Sequence, residues 1–297
     1  MATLRELKGR IGSVASSEKI TGAMKMISSA KMHKAELALR RLKPYRSQIE
    51  SIIGNLLSAD AQFTSPLLEA RPVGKIAIVV YGSDDGLCGA YNINIFKQLL
   101  QRLHEYRKNF GDNVAVTVLP IGKKMAKAVS KLVGDAAFGN VKVGSVADVD
   151  SKTTGDGVRD FVKTLTAHFT AGEFDRVDYL YMRFFSAGRQ RPSAEQLLPV
   201  VQETFSANGV KQSNRPYLFE PDAQTIFRTV LPMFLLSVMQ DVFTENRASE
   251  QAARVMAMQS ANDNAKKLFD QLQLEYNKLR QQSITTELLD ILGGQVR

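Results

Sequence analysis

The chain has 297 residues, a formal net charge of +9, 44% hydrophobic residues and 23% charged residues, a composition typical of a folded, water-soluble protein. Its longest largely apolar run, residues 230–239, contains Pro232 and is much shorter than the roughly 20 apolar residues that cross a bilayer, so we expect no transmembrane helix. The start, MATLRELKGR, has no apolar core, so we expect no secretory signal.

The metal-ligating and charged residues restrict the possible partners. A single cysteine, Cys88, excludes an internal disulfide and indicates a reducing compartment. The histidines His33, His104 and His168 share no ligand spacing, so we expect no metal site. Residues 1–58 carry 11 Lys/Arg and 4 Asp/Glu, which indicates either a solvated helix face or attraction to an acidic protein, nucleic acid or lipid.

The N-terminal segment, residues 1–58, has the pattern of one long helix. Apolar residues recur at steps of three and four, first at Leu4, Leu7, Ile11 and Val14. After a slip, the pattern predicts that the same stripe resumes at Ile20, Met24 and Ile27, then at Leu42, Tyr45, Ile49, Ile52 and Leu56. A narrow stripe of this kind is typical of a coiled coil, and the slip predicts a stutter in it.

The C-terminal segment, residues 222–297, has the same pattern. Its apolar stripe includes Val238, Val242, Leu268, Leu272 and Leu279, and Gly293-Gly294 ends it. A helix of this length would measure about 105 Å and would need a partner for its stripe. If the N-terminal helix is that partner and runs antiparallel, Thr3 lies beside about residue 277. The last 15 to 20 residues then extend beyond it.

The middle segment, residues 59–221, alternates between strand and helix patterns. Strands are predicted at 75–81, 114–120, 141–146 and 177–185, with a weaker candidate at 197–201. Helices are predicted near 92–108, 122–133 and 155–171, and residues 186–216 have the composition of loops and turns. Strands that alternate with helices indicate an α/β domain with right-handed crossovers.

A glycine-rich loop follows the first predicted strand and could cradle a phosphate. Its glycines Gly82, Gly86 and Gly89 have the spacing G-x-x-x-G-x-x-G, which matches neither the dinucleotide fingerprint nor the Walker loop. Asp84 and Asp85 place negative charge there, and they also oppose a thiolate at Cys88. We therefore expect a structural turn, with no cofactor, no metal and no catalytic residue in the chain.

Four motifs carry a resemblance to a known family: KITGAMKMISSAKMHKAE (19–36), GSDDGLCGAYN (82–92), ASEQAARVMAMQSANDNA (248–265) and YNKLRQQSITTELLDILGG (276–294). They resemble the gamma subunit of F-type ATP synthases, in the same order from end to end. Asp85 stands where family members typically have arginine, and the tail ends GGQVR in place of the usual small apolar residues.

The resemblance implies a non-catalytic central rotor with a long antiparallel coiled coil of the terminal helices and an inserted Rossmann-like α/β domain. It implies three alpha and three beta subunits, an epsilon subunit and a membrane c-ring as partners, without nucleic acid and without a homo-oligomer. It also implies proton-driven ATP synthesis. The location it favours is the cytoplasmic face of a bacterial plasma membrane, and the matrix side of the mitochondrial membrane is the weaker alternative. Residues that match the family's beta-subunit contacts are Met24, Lys25, Arg280, Gln281 and Thr285.

Two other functions stay open from the residues alone. An α/β enzyme that carries a coiled coil would need a nucleotide loop or a catalytic set within 75–205, and binding or turnover of nucleotide by the isolated chain would reveal it. A basic coiled-coil protein that binds nucleic acid would show steeply salt-dependent binding. The first helix lacks a dense basic block with interleaved aromatic residues, which argues against the second function.

Overall fold

The computed structural model describes residues 3–57, 63–132, 140–145, 149–201 and 219–294. The chain forms two compact units. The terminal helical unit contains residues 3–30 and 254–294, and the α/β unit contains the described residues from 31 to 253. Helix α1, Leu4–Leu57, and helix α5, Ala223–Gly294, contribute to both units.

In the terminal helical unit, α1 and α5 run antiparallel. The Nζ atom of Lys266 lies 4.0 Å from Oε1 of Glu18, and the amide of Asn262 donates to the Glu18 carbonyl at 2.8 Å and to Thr21 Oγ1 at 3.3 Å. Extrapolating this register places the start of α1 beside about residue 280, close to the position expected from the sequence. Residues of α5 beyond that point extend past α1 within this unit.

The seam of this helix pair keeps an unbroken coiled-coil spacing. On α1 its partly or fully buried positions include Leu4, Leu7, Ile11, Val14, Glu18, Thr21, Lys25 and Ser28. On α5 they include Met258, Asn262, Ala265, Phe269, Leu272, Tyr276, Leu279 and Ser283. Both series alternate steps of three and four residues, as coiled-coil helices do.

The predicted slip in α1 is therefore wrong. Ile20 and Ile27 are 60% and 55% exposed, and the seam continues through the polar residues Glu18, Thr21, Lys25 and Ser28 instead. The sequence pattern failed here because the seam uses hydrogen bonds and small side chains, which apolar periodicity does not detect. On α5, Leu268 is likewise 40% exposed and lies outside the seam.

The α/β unit contains a five-stranded sheet. Its strands are β1 (Lys75–Tyr81), β2 (Ala115–Ile121), β3 (Val141–Val143), β4 (Arg176–Ser186) and β5 (Arg189–Leu198). The spatial order is β3-β2-β1-β4-β5, and the pairs are parallel except for β4 with β5. Helices α2 (Tyr91–Phe110), α3 (Lys123–Val129) and α4 (Asp156–Thr170) complete this part of the unit. The expected mixed α/β fold with paired terminal helices is confirmed.

The loop predicted across 186–216 is wrong for residues 189–198, which form β5. This strand is an edge strand of sequence RQRPSAEQLL, and only its last two residues are fully buried. Polar residues and a proline are tolerated at a sheet edge, so the apolar signal of a strand is absent. Residues 202–218 lie outside the described residues.

Two apolar clusters cover the two faces of the sheet. One contains Ile76, Ile78 and Val80 of β1 with the buried faces of α2 and α3. The other contains Ala77, Val79 and Tyr81 of β1 with α4 and the parts of α1 and α5 that belong to this unit. Alternate residues of β1 point to opposite faces, so an apolar layer lies on both sides.

By length and composition alone, helix α5 is long and apolar enough to cross a membrane, although the sequence predicts no transmembrane helix. Residues Ala223–Gly293 contain an 18-residue window with a mean hydropathy of 1.4, and 50% of that window is buried inside the protein. In the α/β unit, apolar residues of α5 such as Phe227, Leu231 and Leu235 are fully or almost fully buried in the core. This burial is typical of a core helix, which satisfies the same criteria of length and composition.

Candidate functional site

The glycine-rich loop after β1 is closed by contacts within the protein. A Cβ atom at Gly82 would lie 2.4 Å from Cβ of Met125, and Gly122 approaches the Gly82 carbonyl with a φ of +91°. The Ser83 N–H donates to Oδ1 of Asn92 at 3.0 Å, and the Asn92 amide donates to Ser83 Oγ at 2.8 Å. Gly82 and Gly122 therefore permit close packing of two turns.

Asp84 occupies the start of α3, where a phosphate could otherwise bind. Its carboxylate accepts hydrogen bonds from the Lys123 N–H at 3.0 Å and from the Ser151 N–H and hydroxyl at 3.2 and 2.6 Å. Partial burial alone would raise the pKa of Asp84, but the hydrogen bonds from Ser151 and Lys123 outweigh it and lower the pKa below its ordinary value. An anion of the protein itself thus fills this helix terminus.

Cys88 is 3% exposed, and its sulfur lies 3.6 Å from Ser83 Oγ and 3.4 Å from the Asn92 amide nitrogen. His33, His104 and His168 lie on three different helices, α1, α2 and α4. Within the described residues, no group of three His, Cys, Asp or Glu side chains could hold a metal ion. Cys88 is therefore a small buried residue that packs within the loop.

A cavity of about 520 Å³ lies between β2, the end of β3 and α4. Its lining is largely apolar, with Leu119, Phe161 and Leu165 among the residues. The polar residues His168 and Asp160 also line it, and both have partners, since His168 Nδ1 lies 2.5 Å from Glu173 and Asp160 lies 3.8 Å from Lys163. The other polar side chains of the lining are the hydroxyls of Thr117, Ser145 and Thr164.

The predicted beta-contact residues form two separate groups in the terminal helical unit. Met24 and Lys25 are half-buried on α1, whereas Arg280, Gln281 and Thr285 are exposed on α5. In the antiparallel register, Met24 lies opposite about residue 260. That position is about 30 Å along α5 from Arg280 at 1.5 Å per residue. The structure therefore does not bring the five residues into one site.

Large apolar side chains are exposed on the same unit. Met26 is 68% exposed beside Ile20 and Ile27 on α1. Beyond the start of α1, exposed residues of α5 are Ile284, Leu288, Leu289, Ile291 and Leu292. Sequence analysis identified the second group but placed Ile20 and Ile27 in the seam and overlooked Met26. The spacing of Ser28 with Thr21, seven residues apart, could have indicated the polar seam and thus the exposed face.

Comparisons with known proteins identify the family. A family model described as ATP synthase matches residues 3–296. ATP synthase gamma chains of Bacteroides fragilis and Phocaeicola vulgatus are 41% and 40% identical to this chain, and each alignment covers 100% of both chains. The gamma chain of Psychrobacter cryohalolentis is 34% identical over 99% of this chain and 98% of that relative.

Solved structures share the fold at lower sequence identity. The match to a chain of the Euglena gracilis mitochondrial ATP synthase, described as OSCP/F1/c-ring, has a TM-score of 0.65 at 20% identity and covers 98% of this chain and 93% of that one. A chain of the rotor of the same enzyme gives a TM-score of 0.62 at 19% identity, over 95% and 98%. Together with the full-length relatives, these matches show that the chain belongs to the ATP synthase gamma-chain family.

Proposed function

We propose that this chain is the central rotor subunit of an F-type, proton-translocating ATP synthase. Its terminal helices turn inside a ring of three alpha and three beta subunits, while the α/β unit contacts an epsilon subunit and a membrane c-ring. Ion flow through the ring rotates the chain, and the rotation drives ATP synthesis on the beta subunits. Family membership and the printed descriptions of the matched rotor and c-ring structures support this assignment.

The observation that carries the proposal is the exposed apolar end of α5. In the antiparallel register, residues beyond about 283 lie past the start of α1, and Leu288, Leu289 and Leu292 are each more than half exposed. An apolar surface of this kind favours aggregation unless a partner encloses it. A sleeve formed by a ring of subunits would enclose it on all sides and still allow rotation.

The mechanism is mechanical. An asymmetric helix pair inside a three-fold ring contacts the three beta subunits differently, so it stabilises a different conformation in each. Rotation moves these contacts from one subunit to the next. The exposed or half-exposed cations Lys25, Lys31 and Lys34 of α1 suit an acidic surface on the beta subunit.

In this proposal the chain performs no chemistry itself. The closed glycine loop, the buried Cys88 and the carboxylate of Asp84 at the start of α3 support that view. We propose residues 1–58 and 222–297 as the shaft helices and residues 59–221 as the domain nearest the membrane. The bacterial relatives support a peripheral location at the cytoplasmic face of the plasma membrane.

The contact of Arg280, Gln281 and Thr285 with a beta-subunit loop can be tested in the assembled complex. All three side chains are exposed, and substitutions at exposed sites change the free energy of unfolding by no more than about 0.5 kcal/mol. Replacing both Arg280 and Gln281 by Ala should therefore lower coupled ATP synthesis without unfolding the chain. Undiminished synthesis would contradict the contact.

A matched control removes the same two types of side chain elsewhere on α5. Lys267 and Gln271 are also an exposed cation and an exposed amide, but they lie outside the predicted contact. Replacing both by Ala should leave ATP synthesis closer to the parent rate. An equal loss in both variants would indicate a general effect on the helix and would argue against a specific contact.

A further inference from the structure

Strand β4 extends beyond its parallel neighbour. β1 pairs with β4 from Ile76↔Arg176 to Val80↔Leu180, and β1 ends at Tyr81, whereas β4 continues to Ser186. Successive strand residues direct their backbone groups to alternate edges. Met182 and Phe184 therefore present their N–H and C=O groups toward the side that β1 no longer covers.

Beyond the end of β1, side chains of α5 form the hydrogen bonds to β4 that a neighbouring strand would otherwise form. The Met182 N–H donates to Oδ1 of Asn246 at 3.3 Å, and Ser249 Oγ donates to the Met182 carbonyl at 2.8 Å. The Phe184 N–H lies 3.4 Å from the carboxylate of Glu245. Asn246 and Ser249 are 2% and 0% exposed, so these bonds form away from water.

Helix α2 also contacts Asn246, through its first residue, Tyr91. The hydroxyl of Tyr91 donates to Oδ1 of Asn246 at 2.6 Å, and it also lies 3.3 Å from the Asn246 carbonyl. Tyr91 is 3% exposed. Asn246 is thus bonded to the first turn of α2 and to the backbone of β4 at once.

This cluster lies where an α/β sheet usually binds a ligand. The strand order reverses between β1 and β4, because β2 and β3 follow on one side of β1 and β4 lies on the other. Ligands of open α/β sheets bind at the carboxyl ends of the strands at such a point. In this chain α5 itself occupies that position and forms hydrogen bonds to β4 and α2 there.

The bonds differ in kind from the apolar contacts along α5. Hydrophobic contact has no preferred direction, so it resists rotation of a helix about its own axis only through side-chain shape. Hydrogen bonds weaken steeply when their angle changes. Bonds from one helix to the backbone of a strand therefore oppose axial rotation and sliding of that helix.

We propose that Asn246, Ser249 and Tyr91 form a torque-bearing anchor that fixes α5 to the sheet and to α2. This inference rests on the proposed rotor function. Torque that arises at the sheet passes into α5 through these directional bonds. The anchor acts by holding α5 in position and contacts no substrate, so the three residues are positioning residues.

The test compares two double variants with matched chemistry in the full ATP synthase complex. Tyr91→Phe with Ser249→Ala removes two buried hydroxyls that bond α5 to other elements. Tyr106→Phe with Ser237→Ala also removes a buried tyrosine and a buried serine hydroxyl. Tyr106 bonds Asp178 at 2.5 Å and Ser237 bonds the carbonyl of Phe234 in its own helix, so α5 loses no bond to another element.

The readout is the number of protons pumped into proteoliposomes per ATP hydrolysed, with complex assembly and thermal stability measured in parallel. The anchor variant should hydrolyse ATP yet pump fewer protons per ATP, whereas the control should keep the parent ratio at a similar loss of stability. Parent ratios in both variants, or equal falls in both, would overturn the anchor. A parent chain that neither assembles nor couples would overturn the proposed function instead.

Discussion

Each of the two units of this chain is stabilised by a different kind of internal contact. In the α/β unit, residues such as Ile53, Phe227 and Leu235 have no exposed surface and pack in continuous apolar clusters on both faces of a sheet. In the terminal helical unit, a single seam joins two helices, and part of that seam is polar. Large apolar side chains there, including Met26 and Ile27, point to solvent.

This difference indicates where each unit finds its stability. Burial of apolar surface supplies most of the free energy of folding, and the α/β unit has it on both faces of the sheet. The terminal helical unit exposes apolar surface that a self-sufficient domain would bury. In the proposed assembly, partner subunits cover this exposed apolar surface without forming a large shared core with the helix pair. Such contacts suit a shaft that must rotate.

The largest expected effect comes from one substitution made in each unit on the same helix. Ile53→Ala in the α/β unit should lower the free energy of unfolding by about 2–5 kcal/mol, since Ile53 is fully buried. Ile11→Ala, at a partly buried seam position, should cost about 1 kcal/mol. Thermal unfolding followed by circular dichroism measures both. Equal costs would contradict the contrast between the units.

A pH-dependent effect is expected in the α/β unit, where α5 faces α1 and β4. Burial raises the pKa of Glu245 from 4.5 to about 7, the hydrogen bond from the Phe184 N–H and the charge of Arg183 oppose this rise, and Asp241 and Glu195 add to it slightly. The folded state therefore binds more protons than the unfolded state, and stability falls as pH rises from 4.5 through 7. The contribution is on the order of 3 kcal/mol.

Replacing Glu245 by Gln keeps an acceptor for the Phe184 N–H but removes the titration. The variant should lose most of this pH slope, and the remainder should come from Asp241, whose pKa burial also raises. Urea unfolding at a series of pH values measures the slope. Glu275→Gln, an exposed position on the same helix, is the control and should keep it. An unchanged slope in Glu245→Gln would refute the assignment.

The sequence predicted the α/β unit best where apolar periodicity is strong. β1 was predicted at its observed bounds because residues 76–81 are an uninterrupted apolar run that is buried on both faces of the sheet. β5 was predicted only as a weaker candidate at 197–201, which overlaps its last two residues, because an edge strand needs no such run. The seam of α1 was misplaced because residues 18–28 join α5 through polar and small groups, and a search for apolar spacing selects Ile20 and Ile27 instead.

A smaller effect is expected at that polar seam. Asn262 donates to the Glu18 carbonyl and to Thr21, so Asn262→Ala should lower the free energy of unfolding by about 1 kcal/mol. Asn264 is exposed on the same helix, and Asn264→Ala should change it by no more than about 0.5 kcal/mol. Denaturant unfolding distinguishes the two. Identical midpoints would argue against a stabilising polar seam.

The smallest effect on stability is expected at the exposed apolar residues. Ile27→Ser should change the free energy of unfolding by no more than about 0.5 kcal/mol because Ile27 is 55% exposed. Coupled ATP synthesis by the assembled complex should nevertheless fall if, as proposed, the surrounding ring contacts this exposed face of α1. Ile93→Ser, at a 57% exposed position of the α/β unit, is the control. Equal synthesis rates in the two variants would contradict this contrast.

The beta-subunit contacts are a prediction that rests on resemblance alone. The motifs around Met24 and Arg280 indicated which residues match the family's beta contacts, but no physical pattern in the sequence links two groups that lie about 30 Å apart along the helices. The anchor at Asn246 was not predicted either. It forms because β4 extends beyond the end of β1. That difference is a property of strand lengths in the folded sheet and not of any local motif.

The central claim is that the chain turns within an alpha/beta hexamer. Cys88→Ser removes the only cysteine, and Lys108→Cys provides an exposed thiol on α2 for a visible probe. With the hexamer fixed to a surface and ATP supplied, we expect the probe to rotate in one direction in steps. A probe that stays fixed while the complex hydrolyses ATP would contradict the account.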